Sequence, residues 1–140
     1  AIFWWPKQMP SIVLCCSRKK KLQKELFSFQ KKAPKNLKIL PVSKQKCSTI
    51  AALLHYSQIN ITKSGGQTAM ELLGVSNGDI WIHSESSGIS SEKKLLEGMA
   101  LWESDNARYL MKEKGAKIVT PKLALPYLKT FFSNSTALSK

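Results

Sequence analysis

Acidic residues, paired cysteines and long apolar runs are scarce in this chain of 140 residues. Nine Asp and Glu residues stand against 22 Lys and Arg, so the formal net charge is +13 and the pI is near 9.8. Cys15, Cys16 and Cys47 fall in no Cys-x-x-Cys or Cys/His spacing, which argues against a disulfide framework or a zinc site and indicates a reducing, cytosolic setting. No apolar run reaches the roughly 18 residues that a membrane-spanning helix needs.

The excess of lysine predicts attraction to phosphate-rich partners, which are nucleic acids, anionic lipid head groups or nucleotides. Aromatic residues are not interleaved with the basic ones on a common face, and no recognition helix stands out, so the pattern does not favour nucleic acid. Length and a hydrophobic content of 43% suit one globular domain. We expect that domain over residues 11–132, after a leader at 1–10 and before a frayed tail at 133–140.

Short apolar stretches alternate with amphipathic ones along the whole chain. Strands are predicted near residues 11–16, 37–41, 59–62, 79–83 and 116–120, and helices over 18–32, 46–56, 67–73, 92–99 and 103–114, with a last helix opened by Pro121. This alternation predicts an α/β fold, a Rossmann-like parallel sheet with helices on both faces. Ligands of such folds bind beyond the carboxyl ends of the strands.

The stretch from Ile59 to Leu73 is the centre of the prediction. It is expected to form a strand, a tight turn at Ser64-Gly65-Gly66 and a helix. The glycines would allow positive φ and a close backbone approach, and the start of the helix would direct free N–H groups at an anion. Glu71, one helical turn further on, could accept hydrogen bonds from ligand hydroxyls. Taken alone, the same pattern is also that of an ordinary βα bend with a solvated or capping glutamate.

Four stretches in order resemble a known family: Ile12-Val-Leu-Cys-Cys-Ser-Arg18, Leu37-Lys-Ile-Leu-Pro-Val42, Ile61-Thr-Lys-Ser-Gly-Gly-Gln-Thr-Ala-Met-Glu71, and Glu103-Ser-Asp-Asn-Ala-Arg-Tyr-Leu110 with Gly115-Ala116. Together they resemble the C-terminal donor-binding domain of GT-B glycosyltransferases. The similar group holds monogalactosyldiacylglycerol synthases, diacylglycerol glucosyltransferases and the enzyme that adds GlcNAc to lipid I. The third stretch is close to that group's Ile-Thr-Lys-x-Gly-Gly-x-Thr-x-x-Glu motif.

The resemblance implies a donor site made of Val42, Ser64, Gly65, Gly66, Gln67, Thr68, Glu71, Glu103 and Asn106. Backbone N–H groups of residues 65–68, at the helix N-terminus, would hold the diphosphate, and Glu71 would bind the ribose hydroxyls. Backbone near Val42 would bind the uracil. Glu103 and Asn106 would face the donor sugar.

The function implied by the resemblance is that of a UDP-sugar-dependent glycosyltransferase transferring a hexose to a lipid-type acceptor. A helix dipole aimed at the UDP leaving group would stabilise the charge that develops there, so neither a metal nor a cofactor beyond the donor substrate is expected. The implied partners are UDP-sugar and an acceptor-binding N-terminal domain or partner subunit. The implied location is cytoplasmic, with peripheral contact at an anionic membrane.

Several residues depart from the family pattern. Trp102 replaces a Gln, Cys16 a Gly, Arg18 an Asn and Gln58 an Asp. The first strand and glycine loop of the family domain are not in the sequence, so we expect no sugar transfer by this chain alone. His83, at a strand end, is interpreted as a loop-edge residue. Two alternatives stay open, a non-catalytic subunit of a two-part glycosyltransferase and a basic domain that binds anions or nucleic acid.

Overall fold

The computed structural model describes residues 11–86 and 91–138, with side chains through Phe131. This part of the chain contains five strands and six helices, which alternate except that α4 and α5 are consecutive: β1 Ser11–Cys15, α1 Lys20–Lys32, β2 Lys38–Val42, α2 Cys47–Tyr56, β3 Ile59–Thr62, α3 Gly66–Val75, β4 Asp79–His83, α4 Glu92–Glu97, α5 Leu101–Lys114, β5 Lys117–Val119 and α6 Pro121–Leu138. All strand pairs are parallel, which confirms the predicted α/β class. The chain divides into two compact units, residues 1–50 and 51–140, and the boundary falls within α2.

The first unit contains a two-stranded sheet. β1 and β2 pair in register from Ser11 opposite Lys38 to Cys15 opposite Val42. Helix α1 packs on β2, where the side-chain amide of Gln23 donates a 3.3 Å hydrogen bond to the Pro41 carbonyl. No residue of α1, all of which the structure describes, is fully buried. The core of this unit is therefore thin.

The second unit contains the main core around a three-stranded sheet in the order β3-β4-β5. Buried apolar side chains from the strands and from three helices form one cluster: Ala69, Leu72, Ile80, Ile82, Leu95, Leu96, Ala107, Leu110, Ala116 and Ile118. The central strand β4 is buried from Ile80 to Ile82, as expected for a parallel strand covered on both faces.

Helices cover both faces of the second sheet, as predicted. Successive side chains of a strand point to opposite faces, so Trp81 points away from Ile80 and Ile82. The two isoleucines pack with helices α3, α4 and α5. Trp81 meets Tyr127 of α6 with their ring centroids 5.9 Å apart.

Element ends differ from the predictions by a few residues in two places that matter. Helix α5 begins at Leu101, two residues before the predicted start at Glu103, and Ala100 with its extended backbone is the N-cap. Trp102 and Glu103 therefore both lie in the first turn of α5. The backbone of α6 continues through Leu138, into the segment predicted as the tail. The predicted leader at 1–10 lies outside the described residues. No helix within the described ranges combines the length and apolar character needed to cross a bilayer.

Candidate functional site

The predicted strand–turn–helix is present between Ile59 and Val75. Strand β3 ends at Thr62, and Gly65 is the N-cap of α3 with extended backbone angles of φ −62° and ψ 147°. Among the residues that the structure describes, only Ser17 and Gly115 have positive φ. Gly65 and Gly66 therefore do not adopt the positive φ that glycine allows. What they offer at this turn is a backbone with no side chain in front of it.

Open space lies in front of the glycine turn. A Cβ built on Gly65 would meet no atom within 4 Å, and one on Gly66 would meet only the side-chain nitrogen of Asn106, at 4.0 Å. The first N–H groups of a helix have no acceptor within it, and no side-chain cap is present on α3. Free donors, the positive end of the helix dipole and open space therefore coincide at this turn, which is the geometry of an anion site.

Two hydrogen bonds join the turn to the first part of α5. The Ser64 hydroxyl donates to the Glu103 carbonyl oxygen at 2.8 Å, and the Asn106 side-chain amide donates to the Ser64 carbonyl oxygen at 3.0 Å. Ser64 is only 2% exposed. The pair of bonds fixes the backbone just before Gly65, so Ser64 and Asn106 position the turn. The predicted contact of Asn106 with a sugar stays a prediction.

Glu71 lies on α3 one turn beyond the start of the helix. Its Oε1 accepts a 3.1 Å hydrogen bond from the Gln67 side-chain amide, and the residue as a whole is half-buried. This bond orients the glutamate while leaving its second oxygen to accept from a ligand hydroxyl. The structure thus places Glu71 close to the glycine turn, on the same helix, as the sequence predicted.

A cavity of about 380 Å³ lies at the carboxyl ends of β3 and β4, next to the turn. This volume is within the range of small-molecule sites. Its polar lining includes Lys63, Ser64, His83, Glu85, Lys94 and Glu103. Of the predicted site residues, Ser64 and Glu103 line the cavity, whereas the backbone from 65 to 68, Glu71 and Asn106 do not.

Lys63 and Glu85 form an ion pair at this cavity, and the sequence interpretation did not identify it. The hydrogen bond to Glu85, followed by the carboxylate charge, raises the pKa of Lys63, and Glu103 adds a smaller increase. The same hydrogen bond and the lysine charge lower the pKa of Glu85. Lys63 directly follows β3, and Glu85 lies two residues past the end of the neighbouring strand β4. The adjacency of β3 and β4 was therefore the signal that could have found the pair.

Val42 is the last residue of β2 and belongs to the first unit. Its carbonyl oxygen accepts a 2.8 Å hydrogen bond from the Cys16 N–H, which extends the β1–β2 ladder by one residue. The structure describes Val42 within its own unit, so its predicted contact with uracil stays a prediction.

Comparisons of the chain with models of known protein families, with curated proteins and with solved structures gave no match. We therefore base a functional proposal on the geometry from Lys63 to Glu71, on the adjacent cavity and on the resemblance between motifs.

Proposed function

We propose that this chain binds the donor of a UDP-sugar-dependent glycosyltransferase that transfers a hexose to a lipid-type acceptor. The observation that carries the proposal is the open N-terminus of α3. The first-turn N–H groups have no side-chain cap, a Cβ on Gly65 would meet no atom within 4 Å, and the dipole adds positive potential at this end of the helix. A diphosphate is an anion of suitable size and charge for this position.

The polar groups near the turn suit the other parts of such a donor. Glu71 has an oxygen that can accept from ribose hydroxyls, as the resemblance implies. The cavity beside Ser64 carries carboxylates of Glu85 and Glu103 together with the Lys63 cation. Carboxylates accept hydrogen bonds from hydroxyls, and the mixture of charges suits an uncharged polar ligand such as a hexose better than a second phosphate.

In hexose transfer, the proposed role of the α3 turn is to stabilise the leaving diphosphate. When the bond between the anomeric carbon and the UDP oxygen breaks, negative charge grows on the diphosphate. Fixed N–H groups aimed at that charge stabilise the transition state more than the ground state. Two hydrogen bonds between the turn and α5 keep these donors in place: the Ser64 hydroxyl donates to the Glu103 carbonyl oxygen, and the Asn106 side-chain amide donates to the Ser64 carbonyl oxygen. No residue of this chain is assigned to take the proton from the acceptor.

The remaining parts of the proposal come from the resemblance. An acceptor-binding domain or partner subunit would complete the enzyme, and the backbone near Val42 would bind uracil. We place the activity in the cytoplasm, at the surface of the membrane that holds the lipid acceptor.

Binding specificity tests the proposal against a site that merely attracts anions. Ligand-detected NMR with the whole chain at moderate salt would compare UDP, ADP and pyrophosphate. We expect a Kd for UDP of about 1 mM, or about −4 kcal/mol, and weaker binding of ADP. If all three ligands bind equally and weaken in parallel as salt rises, the general +13 charge accounts for binding and the proposal fails.

A further inference from the structure

Lys63 lies between the two parts of the proposed donor site. It directly follows β3, two residues before Gly65 at the open turn of α3, and it lines the cavity at the ends of β3 and β4. Its ammonium group forms the ion pair with the Glu85 carboxylate there. The lysine is therefore next to both the proposed diphosphate position and the proposed hexose position.

The ion pair of Lys63 with Glu85 is open to competition from another anion. Its two side chains are 58% and 74% exposed. Exposed pairs of this kind are held weakly, because water screens the charges and two long side chains must stay in one arrangement. Lysine is a compact charge on a flexible four-carbon stem, so its ammonium group can change partner without a shift of the backbone. A diphosphate carries more negative charge than one carboxylate and is the stronger partner.

The charged groups around the cavity determine what a movement of Lys63 changes. Besides the hydrogen bond and charges within the pair, Glu103 helps to raise the pKa of Lys63, and His83 helps to lower the pKa of Glu85. Lys94 lines the same cavity and takes part in none of the ion pairs of the described residues. A carboxylate that loses its lysine regains acceptor sites for ligand hydroxyls. The cavity still keeps Lys94 as a cation when Lys63 leaves.

We propose that Lys63 exchanges partners when the donor binds, leaving Glu85 for the diphosphate and thereby freeing the Glu85 carboxylate for hydroxyls of the hexose. This inference rests on the proposed donor site and adds how its two parts are coupled. The diphosphate at the α3 turn prepares the cavity for the sugar, so the two parts of one ligand bind cooperatively. Lys63 and Glu85 act in binding, and neither takes part in bond cleavage.

Carboxyl NMR of the whole 140-residue chain, with pyrophosphate as the probe, reads the exchange directly. In the free protein the hydrogen bond and charge of Lys63 hold the pKa of Glu85 below 4.5. Saturating pyrophosphate should draw the lysine away, and the pKa of Glu85 should then rise toward its ordinary value. In Lys63→Gln the same addition should change that pKa far less, because no ion pair is left to break. An equal rise in both proteins would come from the field of the bound anion alone and would overturn the exchange.

Affinities for UDP and UDP-glucose give a second readout. Lys63→Gln should weaken the binding of both ligands about tenfold, the loss expected for one hydrogen bond to a charged group. Glu85→Gln should weaken UDP-glucose relative to UDP about tenfold, because a neutral amide is a poorer acceptor for hexose hydroxyls. UDP itself should bind Glu85→Gln at least as tightly as the parent chain, since Lys63 is already released. Weaker binding of UDP by Glu85→Gln would contradict the exchange.

Lys93 and Glu97 supply matched controls, because they form an exposed ion pair on α4 outside the cavity lining. Lys93→Gln and Glu97→Gln change the net charge as Lys63→Gln and Glu85→Gln do. Each control should alter UDP affinity by less than about threefold, since charges away from the ligand are screened. An equal loss of UDP affinity in Lys93→Gln and Lys63→Gln would assign the effect to net charge and would overturn the exchange.

Two further outcomes distinguish this inference from the donor site on which it rests. If UDP and pyrophosphate shift the amides from Gly65 to Thr68 while the pKa of Glu85 stays unchanged, the donor site stands and the partner exchange is wrong. If neither ligand shifts those amides, the donor site and the exchange both fail.

Discussion

The side-chain amide of Asn106 donates a 3.0 Å hydrogen bond to the carbonyl oxygen of Ser64, 42 residues earlier in the chain. The Ser64 hydroxyl in turn donates a 2.8 Å hydrogen bond to the Glu103 carbonyl oxygen. Together these bonds tie the loop between β3 and α3 to the first turns of α5. The orientation of the α3 N-terminus, and with it the proposed anion site, therefore depends on a side chain far away in sequence.

Replacing Asn106 by Ala should lower the free energy of unfolding by about 1–2 kcal/mol, because it leaves the Ser64 carbonyl without its donor. UDP binding should weaken in parallel, since the turn would lose its support. Asn77→Ala is the control, because Asn77 is an exposed residue whose side-chain amide hydrogen-bonds the His55 ring. Chemical denaturation measures the first effect, and a comparable destabilisation by both substitutions would contradict the positioning role.

Two glycine substitutions should have opposite consequences. Gly65→Ala meets no neighbouring atom and needs no strained φ, so it should cost no more than about 1 kcal/mol, the penalty for alanine at an N-cap. Its methyl group would enter the proposed phosphate position and lower UDP affinity about tenfold. Gly78→Ala would overlap the Ser57 carbonyl oxygen and should cost about 1–3 kcal/mol in stability.

Thermal unfolding and ligand-detected NMR on the same samples distinguish the two positions. A folded Gly65→Ala protein that binds UDP as well as the parent chain would show that no phosphate approaches this backbone.

Glu71→Ala should weaken UDP binding by about 1–3 kcal/mol while leaving pyrophosphate nearly unaffected, because only UDP has ribose hydroxyls to pair with the carboxylate. Glu113→Ala is the matched control, since it removes one exposed carboxylate from another helix and changes the net charge equally. Titration of both variants with both ligands gives the comparison. Parallel changes for UDP and pyrophosphate would assign the effect to net charge.

The Lys63–Glu85 ion pair predicts a defined pH dependence. The lowered pKa of Glu85 means that its contribution is present above the ordinary value of 4.5 and is lost as pH falls through the folded-state pKa. The raised pKa of Lys63 means that its contribution is complete below 10.5 and is lost as pH rises through the folded-state value. In Lys63→Gln, the Glu85 pKa measured by carboxyl NMR should rise toward 4.5, and an unchanged pKa would show that the pair does not form in solution.

Local sequence signals were sufficient for the fold class and for the strand–turn–helix. The apolar run of β4 and the Ser64-Gly65-Gly66 turn each carry their own signal, so β3, α3 and β4 were predicted nearly to the residue. The start of α5 was missed because Ala100 is a weak N-cap type, and nothing in the residues from Ala100 to Trp102 marks a helix beginning.

Contacts between residues far apart in sequence could not be predicted from local patterns. The bond from Asn106 to Ser64 and the pair of Lys63 with Glu85 depend on which helix and strand lie side by side. The role of the glycines was also misjudged in one respect, since Gly65 adopts an ordinary extended backbone. A residue's freedom to take positive φ does not mean that the fold requires it.

Amide chemical shifts of the α3 turn test the proposed donor site most directly. A ¹H–¹⁵N titration of the whole chain with UDP at moderate salt should move the amides from Gly65 to Glu71, and pyrophosphate should move those of Gly66, Gln67 and Thr68 without Glu71. The UDP shifts should be strongly reduced in Gly65→Ala. If UDP and pyrophosphate instead perturb the same lysine-rich segments equally while the amides from Gly65 to Glu71 stay still, the proposed donor site is absent.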